Sequence, residues 1–435
     1  MNKLTRSMPS LKKVPVDGMA FQLWTFLITV IICTFGVSVN VAGYTIRPER
    51  VLVVIWLLTI VPLVPKLGLQ KLPLLLLGWL VLGLYSSLLS DQPGFAIRHW
   101  LDLSLAVGFF YVCLSAPLQF FITRRLTALL WLSTVLGGGA ILTAVIHSFY
   151  FSTTSLETAD PIWSSLIMND WGYGFRIRMT LMEANLFGIA MAVFSLLSVA
   201  ELKKAEKWTW LPFALSHAGL FLAFSRGPLI GYVMGLAVYI FMAKDRRLWL
   251  KFWGMAFALL VFFPTELPFT ATVHDQAATV HDQAAYRKQT AGVRLLAVSA
   301  AMPDIISKPI IGNGVYSFSF LHPDFSVSVG AKQEDAAWIS VMPIAILHDT
   351  GVLGFVLFYS FLASVLYRGY KATAALRELS ESPAACRAAA WLGAAISISI
   401  ASLATAAYSL ALFWGVFAIC YYIPRVLTLP AQDPK

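Results

Sequence analysis

The residues best suited to chemistry in this sequence are arginines placed where apolar runs end. Arg226 lies in FSRGPLIG between two such runs, so it must occupy a tight hairpin, with Gly227 as a cap and Pro228 at the first helical position. Backbone N–H groups at a helix start, the positive end of the helix dipole and a guanidinium that grips two oxygens at once together make a site for phosphate or pyrophosphate. Arg176 and Arg178, in GFRIRMTLMEANLFG, repeat this arrangement ahead of another apolar run, with Glu183 and Asn185 in its first turns. Each arginine also has a plainer reading as an interfacial anchor, and Glu183 as the structural partner of one of them. Arg226 favours the functional reading, because an anchor does not need the flanking Gly and Pro.

The elements that position these residues are membrane helices. The 435 residues are 58% hydrophobic and 12% charged, whereas a soluble domain carries about 25% charged residues. Apolar runs long enough to cross a hydrocarbon layer of roughly 30 Å recur from Phe21 to Tyr422. The expected fold is all-α: one polytopic membrane helix bundle over 1–435, with about twelve transmembrane helices. The expected spans are 20–38, 51–65, 72–90, 100–117, 126–147, 179–200, 208–224, 228–243, 250–264, 337–366, 389–406 and 407–424. Two outer segments are too long to be mere connectors: 148–178, and a larger, partly helical one at 265–336 between the ninth and tenth helices.

Lys3, Arg6, Lys12 and Lys13 precede the first run, and no small-residue cleavage site follows it, which predicts an uncleaved first helix. With the N-terminus inside, the basic clusters Lys203–Lys204 and Arg246–Arg247 also fall inside, as do Arg368 and Arg387, so both termini are expected in the cytoplasm. The net charge of +10 then reflects topology and anionic lipid, and no nucleic-acid partner is expected. Cys33, Cys113, Cys386 and Cys420 fall in helices or on the inner side, where neither a disulfide nor a metal site is expected.

Two further features have bland readings. The tandem TVHDQAA at 272–278 and 279–285 reads as a duplicated, solvent-exposed helical turn, since its His-Asp pairs lack other metal ligands nearby. Segment 367–388, with Arg377, Glu378, Glu381 and Arg387, reads as a solvated inner connector.

The stretch RLLAVSAAMPDIISKPIIGNGVYSF from Arg294 contains an Arg, an amphipathic helix, then Pro309, Ile310, Ile311, Gly312, Gly314, Tyr316 and Phe318. With Ser225–Arg226–Gly227 on a hairpin, Arg178 before Glu183-x-Asn185, and Gly351 and Gly354 in DTGVLGF, it resembles the O-antigen ligase and polymerase superfamily from about residue 170 to 366. The resemblance implies a glycosyltransferase of the periplasmic face of the bacterial inner membrane, without metal or cofactor. Its donor would be an undecaprenyl-diphosphate-linked glycan, passed whole to an acceptor sugar hydroxyl, with a chain-length regulator as a further candidate partner.

In that reading Arg226 and Arg178 bind the diphosphate, and Arg294 and Arg176 assist. Gly312 and Gly314 set the turn that brings Tyr316, Phe318 and His322 over the opening, where the rings stack on sugars. The family's ligases place a His-Asn pair eleven residues before the glycine of the tenth helix, and that slot here is Ser340. His348 reads as a packed polar residue, which leaves His322, Glu334 and Asp335 as candidates for the base. The missing His tilts the reading to a polymerase over a ligase that joins glycan to lipid A core. A flippase or transporter is the competing class, against which stand the absence of a repeated half and the large outer loop.

Overall fold

The structure, a computed structural model, describes residues 39–41, 44–46, 50–55, 73–115, 127–150, 167–170, 174–177, 179, 184–202, 207–223, 225–243, 290–325, 338–379 and 383–426. Its principal helices are α1 (Leu74–Leu88), α2 (Pro93–Ser115), α3 (Thr127–Tyr150), α4 (Ala184–Glu201), α5 (Trp210–Leu222), α6 (Arg226–Ala243), α7 (Thr290–Ser307), α8 (Met342–Leu379), α9 (Pro383–Ala401) and α10 (Ala411–Val426). Two antiparallel hairpins accompany them: β1 (Val39–Val41) with β2 (Tyr44–Ile46), and β3 (Ile167–Asp170) with β4 (Gly174–Ile177), in which Met168 pairs with Arg176. Six of the described helices are long and apolar enough to cross a membrane, and α1, α5 and α10 are shorter apolar helices. The expected spans 20–38 and 250–264 lie outside the described residues.

In α1, the side chains of Leu74, Leu77, Val81, Tyr85 and Leu88 form one exposed stripe, while Leu76, Trp79, Gly83, Ser86 and Ser87 are buried. A helix of a water-soluble protein carries polar residues on its exposed face; an apolar exposed stripe is what lipid requires. At the other extreme, every residue of α4 is buried, so this helix is enclosed by its neighbours.

Small residues permit the closest helix contacts. On α6, a Cβ at Gly231 would overlap the Ser397 carbonyl and one at Gly235 the Gly393 carbonyl, so the α6 and α9 backbones meet along a small-xxx-small seam.

Three sequence expectations need correction. The tenth helix was expected over 337–366 with a solvated connector after it, but α8 continues to Leu379 and takes up half of that segment. Arg387 is not in solvent either: its guanidinium grips the Glu201 carboxylate through two nitrogens, with both residues buried where α4 ends and α9 begins. A buried guanidinium needs such a partner, because an unpaired charge away from water costs several kcal/mol. Arg176 stands on the strand β4, paired with Met168, and not at a helix end; the helix that follows it is described from Ala184.

Candidate active site

Gly351 interrupts α8 with φ 64° and ψ −172°, a conformation that L side chains rarely adopt. The break removes the helical partners of two carbonyls, His348 and Asp349, and of two amides, Val352 and Leu353. Buried and unsatisfied, each group would cost about 1–3 kcal/mol. The segment after α7 satisfies all four. Asn313 N–H donates to the His348 carbonyl at 2.9 Å and Gly314 N–H to the Asp349 carbonyl at 3.0 Å, while Val352 and Leu353 donate to the carbonyls of Pro309 and Ile310 at 2.8 and 3.3 Å. Ser86 of α1 adds its hydroxyl to the Asp349 carbonyl at 2.6 Å.

This exchange explains the Pro-Ile-Ile-Gly-x-Gly pattern. Gly312 has φ 83°, and a Cβ there would run into the backbone of Asp349 and Thr350. At Gly314 a Cβ would lie 2.9 Å from Cβ of Ser90. Tyr316 is held with φ 59°, its amide donating to Asp349 Oδ2 at 3.1 Å and its ring stacked on His99 at 5.1 Å. A non-glycine residue in this region carries roughly 1–3 kcal/mol of strain, tolerated where the surroundings fix it.

The docked loop gathers titratable groups. His322 Nε2 lies 2.7 Å from Asp304 Oδ2, and His348 Nε2 reaches the same oxygen at 3.3 Å. The other ring nitrogen of His348 lies 3.0 Å from Asp349 Oδ1. His348 is buried, as the sequence predicts for a packed polar residue, but its two nitrogens face carboxylates from different elements. Beside this cluster opens a small pocket lined by Tyr316, Phe318, Trp338, Ile339, Ala345, Asp349 and Tyr408. Tyr408, in the turn between α9 and α10, has its phenol pushed well above the usual range by burial first and then by the Asp349 carboxylate, so it stays a protonated donor.

Of the residues singled out in the sequence, the structure brings together His322, Gly312, Gly314, Tyr316 and Phe318. Arg226 is exposed at the first position of α6, and Pro228 sits two residues further in, not at the helix start. Ser225 before it donates its hydroxyl to Asn185 Oδ1 at 2.6 Å, tying the Ser-Arg-Gly hairpin to the start of α4. Gly227 packs against the end of α9, and the chain beyond that end leads to Tyr408, so Arg226 and the pocket share one end of the bundle. Arg294 is half-buried on α7, about 15 Å along that helix from Asp304 at 1.5 Å per residue. Arg178, Glu183, Glu334, Asp335 and both TVHDQAA copies lie outside the described residues.

A multi-pass helical membrane protein with a glycine-containing loop docked through its backbone on a broken helix is the class these features define. Residues 211–359, about a third of the chain, match the family described as O-antigen ligase, which supports the O-antigen ligase and polymerase superfamily and a membrane enzyme of that type. No curated protein matches the chain. The matched span runs from α5 through the Gly-x-Gly turn to the break in α8.

Proposed function

We propose that this protein is a polysaccharide polymerase of the bacterial inner membrane, transferring an undecaprenyl-diphosphate-linked glycan to a sugar hydroxyl of a second lipid-linked unit on the periplasmic face. The observation that carries this reading is the docking of the Gly312–Gly314 turn onto the break at Gly351, which sets an acid–base cluster beside an aromatic-lined pocket. Transfer from a diphosphate needs cations where negative charge accumulates and a base where the hydroxyl loses its proton. Arg226, with Arg178, takes the first task, and Arg176 and Arg294 assist. The second falls to the cluster containing His322, for which Glu334 and Asp335 are the competing carboxylates. The aromatic walls, Tyr316 and Trp338 among them, offer faces for sugar stacking.

The test is the glycan profile of a deletion strain complemented with wild type or Arg226→Ala at matched protein level. A polymerase using that Arg gives single repeat units in the deletion, a ladder with wild type and no restored ladder with the variant. Intact polymer left on the carrier lipid makes the protein a ligase acting on lipid A core. An unchanged profile rejects both and favours transport.

A further inference from the structure

Four titratable side chains from three separate parts of the chain stand in a row: Asp349, His348, Asp304 and His322, with successive contacts of 3.0, 3.3 and 2.7 Å. The row has a direction. Asp349 lines the pocket, whereas His322 does not. His348 is fully enclosed, and the side chain of His322 at the far end is 27% exposed.

Each contact is a hydrogen bond only if a proton sits in it. A neutral imidazole carries one N–H and an ionised carboxylate none, so two imidazoles and two carboxylates bring two protons to three contacts. One more proton, gained at the Asp349 end and matched by one lost at the His322 end, leaves the number of protons in the row unchanged and each ring in its other tautomer.

We propose that Asp349 takes the proton of the acceptor hydroxyl and that His348, Asp304 and His322 conduct it to water. This rests on the transferase reading above and names the base within it. As the acceptor oxygen bonds to the anomeric carbon, its proton passes to Asp349. The bond from that carbon to the diphosphate oxygen breaks, and the electron pair leaves with the diphosphate. Asp349 then gives a proton to His348 Nδ1, His348 Nε2 gives one to Asp304, Asp304 gives one to His322 Nε2, and His322 releases one from Nδ1 to solvent.

The geometry supports each role. Asp349 Oδ2 accepts the Tyr316 amide at 3.1 Å, and a carboxylate oxygen with one such bond keeps a further lone pair for an incoming proton. The Asp304 backbone carbonyl accepts the Asn313 side-chain amide at 3.1 Å, so the docked turn also fixes the middle of the row. Phe318 shields it, with its ring 4.6 Å from His322 and 5.8 Å from His348. The other titratable groups facing the pocket end are Tyr316 and Tyr408, with His99 stacked on Tyr316.

The test measures kcat, KM for acceptor and their pH profiles for the full-length protein in proteoliposomes supplied with lipid-linked glycan. Asp349→Asn should lower kcat by about 10²–10⁴-fold with acceptor KM little changed. His322→Gln should lower kcat less, and imidazole added to the buffer should restore it, which repair of a merely structural defect would not explain. If wild type forms product while Asp349→Asn stays within about threefold of it, the row is wrong and the transferase reading survives, since a missing general base costs about 10²-fold or more. If wild type forms no product, the transferase reading falls and takes the row with it. Should Asp349→Asn fail to accumulate, the His322→Gln experiment decides: rescue by imidazole supports the row and its absence overturns it.

Discussion

The amide of Asn313 donates to the carbonyl of His348 at 2.9 Å, a bond that an unbroken α8 would have made within itself through Val352. Through this bond and its three counterparts the loop becomes part of the helix, and the helix fixes the loop. The acid–base cluster depends on that arrangement, since the seated turn is what brings Asp304, with His322 on the same carboxylate oxygen, to His348.

Gly312→Val should therefore abolish activity while leaving membrane insertion intact. The variant adds left-handed strain of about 1–2 kcal/mol and an overlap with the Asp349 backbone, whereas the spanning helices keep their own contacts. Polymer formation and membrane protein level, measured together, separate the two effects; equal loss of both would make the turn merely structural.

The Glu201–Arg387 pair predicts a different signature. Arg387→Met strands a buried carboxylate and should destabilise the protein by about 3–5 kcal/mol, while the double variant with Glu201→Met should recover most of that loss. Thermal unfolding in detergent checks both. A double variant no more stable than the single one would show that the pair is not the cause.

Gly231→Leu should prevent α6 from meeting α9, because its side chain would have to occupy the place of the Ser397 carbonyl. The expected result is loss of folded protein, read by size exclusion in detergent, whereas Ile230→Leu on the exposed side of the same helix should leave the profile unchanged.

Ser225→Ala removes the hydroxyl that holds Asn185 at 2.6 Å. Removing one buried hydrogen-bond partner costs about 1–3 kcal/mol. The loss should appear as lower thermal stability together with weaker use of lipid-linked donor, since the Arg226 hairpin loses its tie to α4.

Much of this was legible in the sequence. Hydropathy gives the helices, and Gly312 and Gly314 mark the turn, which they enter with φ of 83° and 101°. The break at Gly351 was not legible, because the apolar run over 337–366 reads as one span. Asp304 was not legible. It is one carboxylate in an amphipathic helix, 44 residues from His348, and no local pattern announces that pairing. Arg387 misled for the same reason: its partner Glu201 is 186 residues away, and a charged residue beside a polar segment reads as solvated until the fold buries it. Asp349 lies in plain view within DTGVLGF, but that local pattern does not encode its place beside the Tyr316 amide and the pocket, which arises only when the distant turn docks.

The burial of α4 on every side sets it apart from α1, and the two helices should respond to substitution by opposite rules. The exposed stripe of α1 meets a fluid, so it accepts changes of size and shape among apolar residues but not a charge. Inside the protein, α4 touches only fixed neighbours, where an added methylene costs about 1–3 kcal/mol in overpacking. Its Ser195 and Ser198 show that small polar groups are accepted there. Volume is the quantity held constant along α4, and polarity the quantity held constant along the stripe of α1.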